Sequence, residues 1–190
     1  MTTTIRQAIP EDAAGIARVH VESWRTTYPG IMPQEHLDAL SVTDRERTWT
    51  EILSADGLAK ATVYVAEMDG GEVVGFVSGG KERAGDPDYR SEVYGLYLLQ
   101  SQQGKGLGRR LVQTFARRMS QDGHRTLLIW VNVHNPARGF YKALGGVHAR
   151  TGQREIKGVT YDDAGYGWDE ATFARLIGGY NEYAVDKAQH

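Results

Sequence analysis

Between an extended apolar segment ending near Leu99 and a helical stripe beginning at Leu107 lies the run Gln103-Gly104-Lys105-Gly106-Leu107-Gly108-Arg109-Arg110. No other stretch limits the fold as strongly. Three alternate glycines let the backbone approach a ligand closely and turn its amides inward. The helix that follows adds unpaired N–H groups and the positive end of its dipole. Together they make an anion site suited to phosphate or pyrophosphate, with Lys105, Arg109 and Arg110 placed to add charge-assisted contacts. Two common phosphate loops are excluded. A P-loop needs Gly-x-x-x-x-Gly-Lys followed by Ser or Thr, and no such string occurs. A Gly-x-Gly-x-x-Gly fingerprint fails because its third glycine falls at Leu111 counted from Gly106, and at Arg109 counted from Gly104.

The segments around this loop set the fold class. Thr2 to Ala8 reads as an opening strand. Glu11 and Asp12 suit the first turn of a helix by opposing its dipole. The stripe Ile16, Val19, His20 and Trp24 carries that helix to about Tyr28, where Pro29, Gly30 and Pro33 break it. Shorter helical stretches carry Leu37 and Leu40, then Trp49, Ile52 and Leu53. Ala61 to Met68, the turn Asp69-Gly70-Gly71 and Val73 to Ser78 predict a hairpin. A loop from Arg83 to Arg90 precedes a strand over Glu92 to Leu99. The stripe Leu107, Leu111, Val112, Phe115, Ala116 and Met119 is helical and ends before Gly123, and Leu127 to Val133 reads as a strand covered on both faces. Asn135 as N-cap, Pro136 at the first position and Gly145-Gly146 at the end bound another helix. Val147 to Arg154 and Val159 to Trp168 predict a last strand pair. The order gives an α/β domain with a mixed sheet, read as one domain over 1–178, with 179–190 as a peripheral helix or tail.

Composition narrows the chemistry. With no cysteine among 190 residues, disulfides, thiolate metal sites and a cysteine nucleophile are excluded. The six histidines are scattered without metal-ligand spacing, so no metal is expected. A formal net charge of −2 gives no support to nucleic-acid binding. The start has no apolar core of a signal peptide, and the densest apolar run, Leu127 to Val133, is too short to cross a bilayer. A cytoplasmic location without membrane contact is the resulting expectation. There is no Gly-x-Ser-x-Gly elbow of a serine hydrolase.

Gln103, Gly106 and Gly108 match the Gln/Arg-x-x-Gly-x-Gly/Ala signature of the GCN5-related N-acetyltransferase (GNAT) family, which the chain resembles from roughly Ile5 to Trp168. Glu92-Val93-Tyr94-Gly95-Leu96-Tyr97-Leu98 resembles the family strand leading into that loop. Asn135-Pro136-Ala137-Arg138-Gly139-Phe140-Tyr141 resembles its later helical motif. Two positions depart from the pattern. Gln100 stands where many relatives have proline, and Gly145-Gly146 where the helix often runs into Gly-Phe.

The resemblance implies a mostly antiparallel mixed sheet with flanking helices, in which a splayed parallel strand pair holds acetyl-CoA. Backbone groups near Leu96, Leu98 and Leu99 would pair with the pantetheine amides. The run Gln103, Gly104, Lys105, Gly106, Leu107, Gly108 and Arg109 would hold the pyrophosphate, with Asn135 and Arg138 as further contacts. The N–H near Leu98 would face the thioester oxygen. Glu92 matches a glutamate that acts as base through water in several relatives, although a hydrogen-bonded strand-end carboxylate is the plainer alternative. Tyr141 matches the tyrosine that protonates the leaving thiolate, and its phenol, with a reference pKa of about 10, can donate at neutral pH. Asn135 could be simply a cap, and Trp130 simply core. The acceptor site would be walled by Trp24 to Met32, Gly80 to Tyr89 and Gly152 to Asp163. Trp24, Tyr28 and Asp86 are its candidate contacts, and acidic residues such as Asp86 would attract a cationic amine unless they only face solvent. A small-molecule amine of the polyamine or antibiotic kind is the leading acceptor. A protein amine, or acetyl-CoA sensing without turnover, are the alternatives, and relatives suggest a homodimer.

Overall fold

The computed structural model describes residues 2–178. Its centre is a seven-stranded sheet built from β1 (Thr3–Gln7), β2 (Thr62–Met68), β3 (Val73–Lys81), β4 (Ser91–Leu98), β5 (Leu127–Asn132), β6 (Val147–Ile156) and β7 (Val159–Trp168), in the order β1-β2-β3-β4-β5-β7-β6. Only β4 and β5 run parallel.

One face carries α1 (Ala13–Thr27), α2 (Gln34–Asp38), α3 (Val42–Ile52) and α4 (Ala55–Leu58). The α1 stripe buries Ile16, Ala17 and Val19 against Val63, Val65 and Phe76 of the sheet and Trp49 of α3. The Asp12 carboxylate accepts from the Ile9 amide (2.8 Å) and pairs with Arg6, which holds its pKa below the usual carboxylate value against the opposing pull of burial. Ser41 Oγ accepts from the Asp44 amide at 3.2 Å and caps α3.

The other face carries α5 (Leu107–Gln121), α6 (Arg138–Ala143) and α7 (Glu170–Gly178). Leu107, Leu111, Val112, Phe115, Ala116 and Met119 are all buried, so the helical stripe is the α5 core face. Each such side chain contributes about 1.5–3 kcal/mol on burial when as large as Leu or Phe. The sequence pattern does not show α7, whose Phe173 and Leu176 join the same core. Its last carbonyls are tied to α5, where Gln113 Nε2 donates to Leu176 O (3.1 Å) and Arg117 Nε to Ile177 O (3.2 Å). The tail expected after Gly178 lies outside the described residues.

One local reading is corrected. Asn135 does not cap α6, which begins three residues later. Its Oδ1 instead accepts from the Ala137 amide (2.8 Å) and folds the turn that leads into the helix. The glycine pair after α6 is required by a neighbour. A Cβ on Gly146 would stand 2.6 Å from the Trp168 ring, whose Nε1 donates to Leu144 O at 3.1 Å. The fully buried indole of Trp168 thus occupies the space a side chain at 146 would need.

Among the described residues, no helix is long and apolar enough to cross a membrane. No group of three or more His, Asp or Glu side chains there could hold a metal ion.

Candidate active site

The sheet opens at its parallel pair. Ser91, Glu92 and Val93 face Leu127, Leu128 and Ile129, and pairing stops there. The cause lies on the other side of β4. Ser78 of β3 faces Gly95 whereas Gly79 faces Val93, so Tyr94 is the extra residue of a β-bulge. A bulge bends its strand and sharpens the local twist, and β4 diverges from β5 beyond it. The β5-facing edge of β4 is left without a strand partner, and a cleft of about 670 Å³ forms there.

The glycine-rich run closes one part of this cleft. Gly104 and Gly106 have φ of +73° and +78°, conformations that L side chains rarely adopt. Gly106 stands at the N-cap of α5 with no side-chain cap, so the first amides of the helix are left for a ligand. Gln103 does not point outward. Its Nε2 donates to Leu98 O (3.3 Å), which also accepts from the buried Ser23 hydroxyl of α1 (3.1 Å). The two side chains fix the end of β4 as it enters the loop.

Elsewhere the cleft is aromatic. The buried Tyr141 of α6 packs edge-on against Phe140 with ring centres 5.3 Å apart. Burial pushes its phenol well above the usual tyrosine range, with a further push from Tyr97. Tyr28, just past α1, is raised in the same way, first by burial. Its hydroxyl accepts from Asn135 Nδ2 at 3.5 Å. Both phenols therefore rest protonated across the working pH range, each with its proton available to a partner.

Of the residues that the sequence suggests, Tyr28, Leu96, Leu98, Gln103, Gly104, Gly106, Gly108, Arg109, Asn135 and Tyr141 line this cleft. Others do not. Leu107 is buried under α5, Lys105 bonds Gln102 Oε1 (3.0 Å), and Leu99 packs into the core. Arg138 is turned to Val133 O (2.7 Å) and the Tyr166 hydroxyl (3.2 Å), and Arg110 reaches Thr3 O (3.0 Å). Trp24 lies behind Tyr28, with ring centres 4.9 Å apart. Glu92 is 4% exposed and ion-paired with Arg83 (2.5 Å), off the cleft lining. Asp86 is forked by Arg150 at 2.8 and 3.0 Å, and the Gly80 to Tyr89 segment lines no part of the cleft.

Ser23, Tyr97 and Trp130 are among the lining residues that the sequence did not suggest as contacts. Trp130, expected in the core, is half-exposed on β5 at the cleft wall. A tryptophan beside a strand that loses its partner was the available signal. Arg154 also lines it, within the Gly152 to Asp163 stretch expected to wall the acceptor site, but nothing local singled it out there, since the β6–β7 hairpin alone does not say which side chains reach β5.

A model of the acetyltransferase (GNAT) family matches residues 19–145. An uncharacterized N-acetyltransferase, YuaI, of Bacillus subtilis is 37% identical over 174 residues, 92% of this chain and 97% of its own. Two solved structures share the fold. The paia N-acetyltransferase of Thermoplasma acidophilum, in complex with coenzyme A, has a TM-score of 0.66 at 21% identity, covering 89% of this chain and 99% of that one. The yncA acetyltransferase of Salmonella typhimurium, with acetyl-CoA, has a TM-score of 0.66 at 23% identity, covering 90% and 95%.

Proposed function

This chain belongs to the acetyltransferase (GNAT) family, and we propose that it transfers the acetyl group of acetyl-CoA to the primary amine of a small molecule. One observation carries the reading. A single cleft joins the free amides at the start of α5 to the protonated hydroxyl of Tyr141, along the unpaired edge of β4.

The residues present fit that donor. Gly104 to Arg109 offer backbone amides and the positive end of a fifteen-residue helix to a pyrophosphate. The free edge of β4 from Tyr94 to Leu98 offers alternate N–H and C=O groups to the amides of an extended arm. The N–H near Leu98 is the proposed donor to the thioester oxygen as negative charge develops there.

During transfer the acceptor nitrogen bonds the acetyl carbon and the carbon–sulfur bond breaks. Tyr141 gives its phenolic proton to the leaving thiolate and recovers one from solvent. The amine must also lose a proton. Among the described residues, no carboxylate or imidazole lines the cleft, and Glu92 is occupied by Arg83, so we assign that proton to water. The cleft volume favours a small acceptor, because about 670 Å³ must also hold the donor's arm.

Calorimetric titration with acetyl-CoA, followed by thiol release with a panel of amines, tests this. Amine-dependent thiol release that falls by about 10²-fold or more in Tyr141→Phe, with acetyl-CoA affinity retained, is the expected result. Binding without amine-dependent release for any acceptor would instead describe a sensor.

A further inference from the structure

The charge of the cleft is opposite to what a polycationic acceptor needs. Among the described residues, its charged lining consists of Arg109 in the first turn of α5 and Arg154 on β6. The acidic side chains that could have drawn a polyamine are elsewhere. Asp86 is committed to Arg150, and the Glu82 carboxylate accepts from the Ala84 and Asp86 amides, both at 2.8 Å.

Arg154 is held in a way that leaves most of its donors available. Asp163 of β7 sits behind it, with Oδ2 3.2 Å from Nε and Oδ1 3.4 Å from Nη2. Asp163 is buried while the arginine side chain is 45% exposed. Among the described residues, Nη1 has no acceptor. Two arginines away from the cleft show the contrast. Arg6 bridges Asp12 and Glu67, and Arg150 bridges Asp86 and Asp88. Arg154 shares the cleft lining with the aromatic side chains of Tyr28, Tyr97 and Trp130. A guanidinium anchored on one edge and open on the other matches a carboxylate in fork geometry.

We propose that Arg154 binds the carboxylate of the acceptor, so that the substrate is an amino acid or a similar small amino carboxylate. This rests on the acetyl-transfer reading and deepens it. The carboxylate docks on the free edge of Arg154, between Tyr28 and Trp130, and the amine is thereby directed along the cleft toward the thioester. A diamine would bring a second positive charge to the same guanidinium and be repelled.

The test compares, at equal chain length, an amino carboxylate, a monoamine and a diamine in wild type, Arg154→Gln and Arg154→Lys. Wild type should favour the amino carboxylate. Arg154→Gln should raise its KM about 10- to 100-fold, the scale of one lost charge-assisted pair. The loss with the monoamine should be much smaller, the affinity for acetyl-CoA should hold, and Arg154→Lys should recover part of the loss with the amino carboxylate. A wild-type preference for the diamine would overturn the proposal. So would an Arg154→Gln defect equal for all three acceptors, or one that extends to acetyl-CoA binding. Absence of thiol release with any amine, while acetyl-CoA binds, would instead remove the acetyl-transfer reading on which the proposal stands.

Discussion

Asn135 Nδ2 donates to the hydroxyl of Tyr28 across 3.5 Å and joins the turn ahead of α6 to the end of α1, on opposite sides of the sheet opening. The bond is long, and Asn135 has a second task in accepting from the Ala137 amide. Tyr28→Phe should therefore cost under about 1 kcal/mol, whereas Asn135→Ala should cost about 1–2 kcal/mol by leaving the half-buried Ala137 amide unpaired. Urea unfolding of the two variants measures the difference. Equal losses would mean that the span to Tyr28, and not the turn, is what Asn135 supports.

Gly106 joins backbone conformation to ligand binding. Its φ of +78° and its position at the uncapped start of α5 make Gly106→Ala a strained substitution. A destabilisation of about 1–2 kcal/mol is expected, together with weaker acetyl-CoA binding by calorimetry. Undiminished affinity would show that the α5 amides do not hold the pyrophosphate.

Glu92 provides a sharper contrast. If its carboxylate only holds Arg83 and the Arg83 amide, Glu92→Gln should lower the melting temperature and leave kcat within about threefold of wild type, against the 10²-fold or more of a lost general base. A loss on that larger scale, with the acid limb of the pH–rate profile abolished, would reinstate it as the base.

His20 sets an acid limit on stability. It stacks on Tyr97 at 4.9 Å and its Nδ1 accepts from Trp49 Nε1 at 3.3 Å. Burial, helped by Arg45, lowers its pKa from 6.5 to about 3. The neutral form is the folded one. The unfolded chain takes up a proton below pH 6.5 that the folded chain refuses, so stability from this group is complete above 6.5 and is lost as pH falls toward 3. The slope is up to about 1.4 kcal/mol per pH unit. His20→Gln should flatten the stability curve between pH 6 and 4 relative to wild type, and parallel curves would refute the assignment.

Much of the frame was legible along the chain because it rests on local periodicity. The α5 stripe, the Asp69-Gly70-Gly71 turn and the alternate glycines each follow from neighbours in sequence, and the motif order Glu92 to Tyr141 marked the fold. The short helix α7 escaped notice because its core contacts, Phe173 and Leu176, have meaning only once α5 lies beneath them.

The sequence by itself determined the glycine loop ahead of α5, since left-handed glycines and a free helix start need no distant partner. Tertiary structure decided which side chains meet there. In a regular strand Glu92, Leu96 and Leu98 would share one face. The extra residue at Tyr94 shifts the alternation, so that Val93 and Leu98 enter the same core while Glu92 turns to Arg83. That bulge depends on register with β3, and the arrival of Arg154 depends on β7 lying between β5 and β6. Strand register and order are properties of pairing between distant segments, and a one-residue change in pairing reverses which side chains face the site.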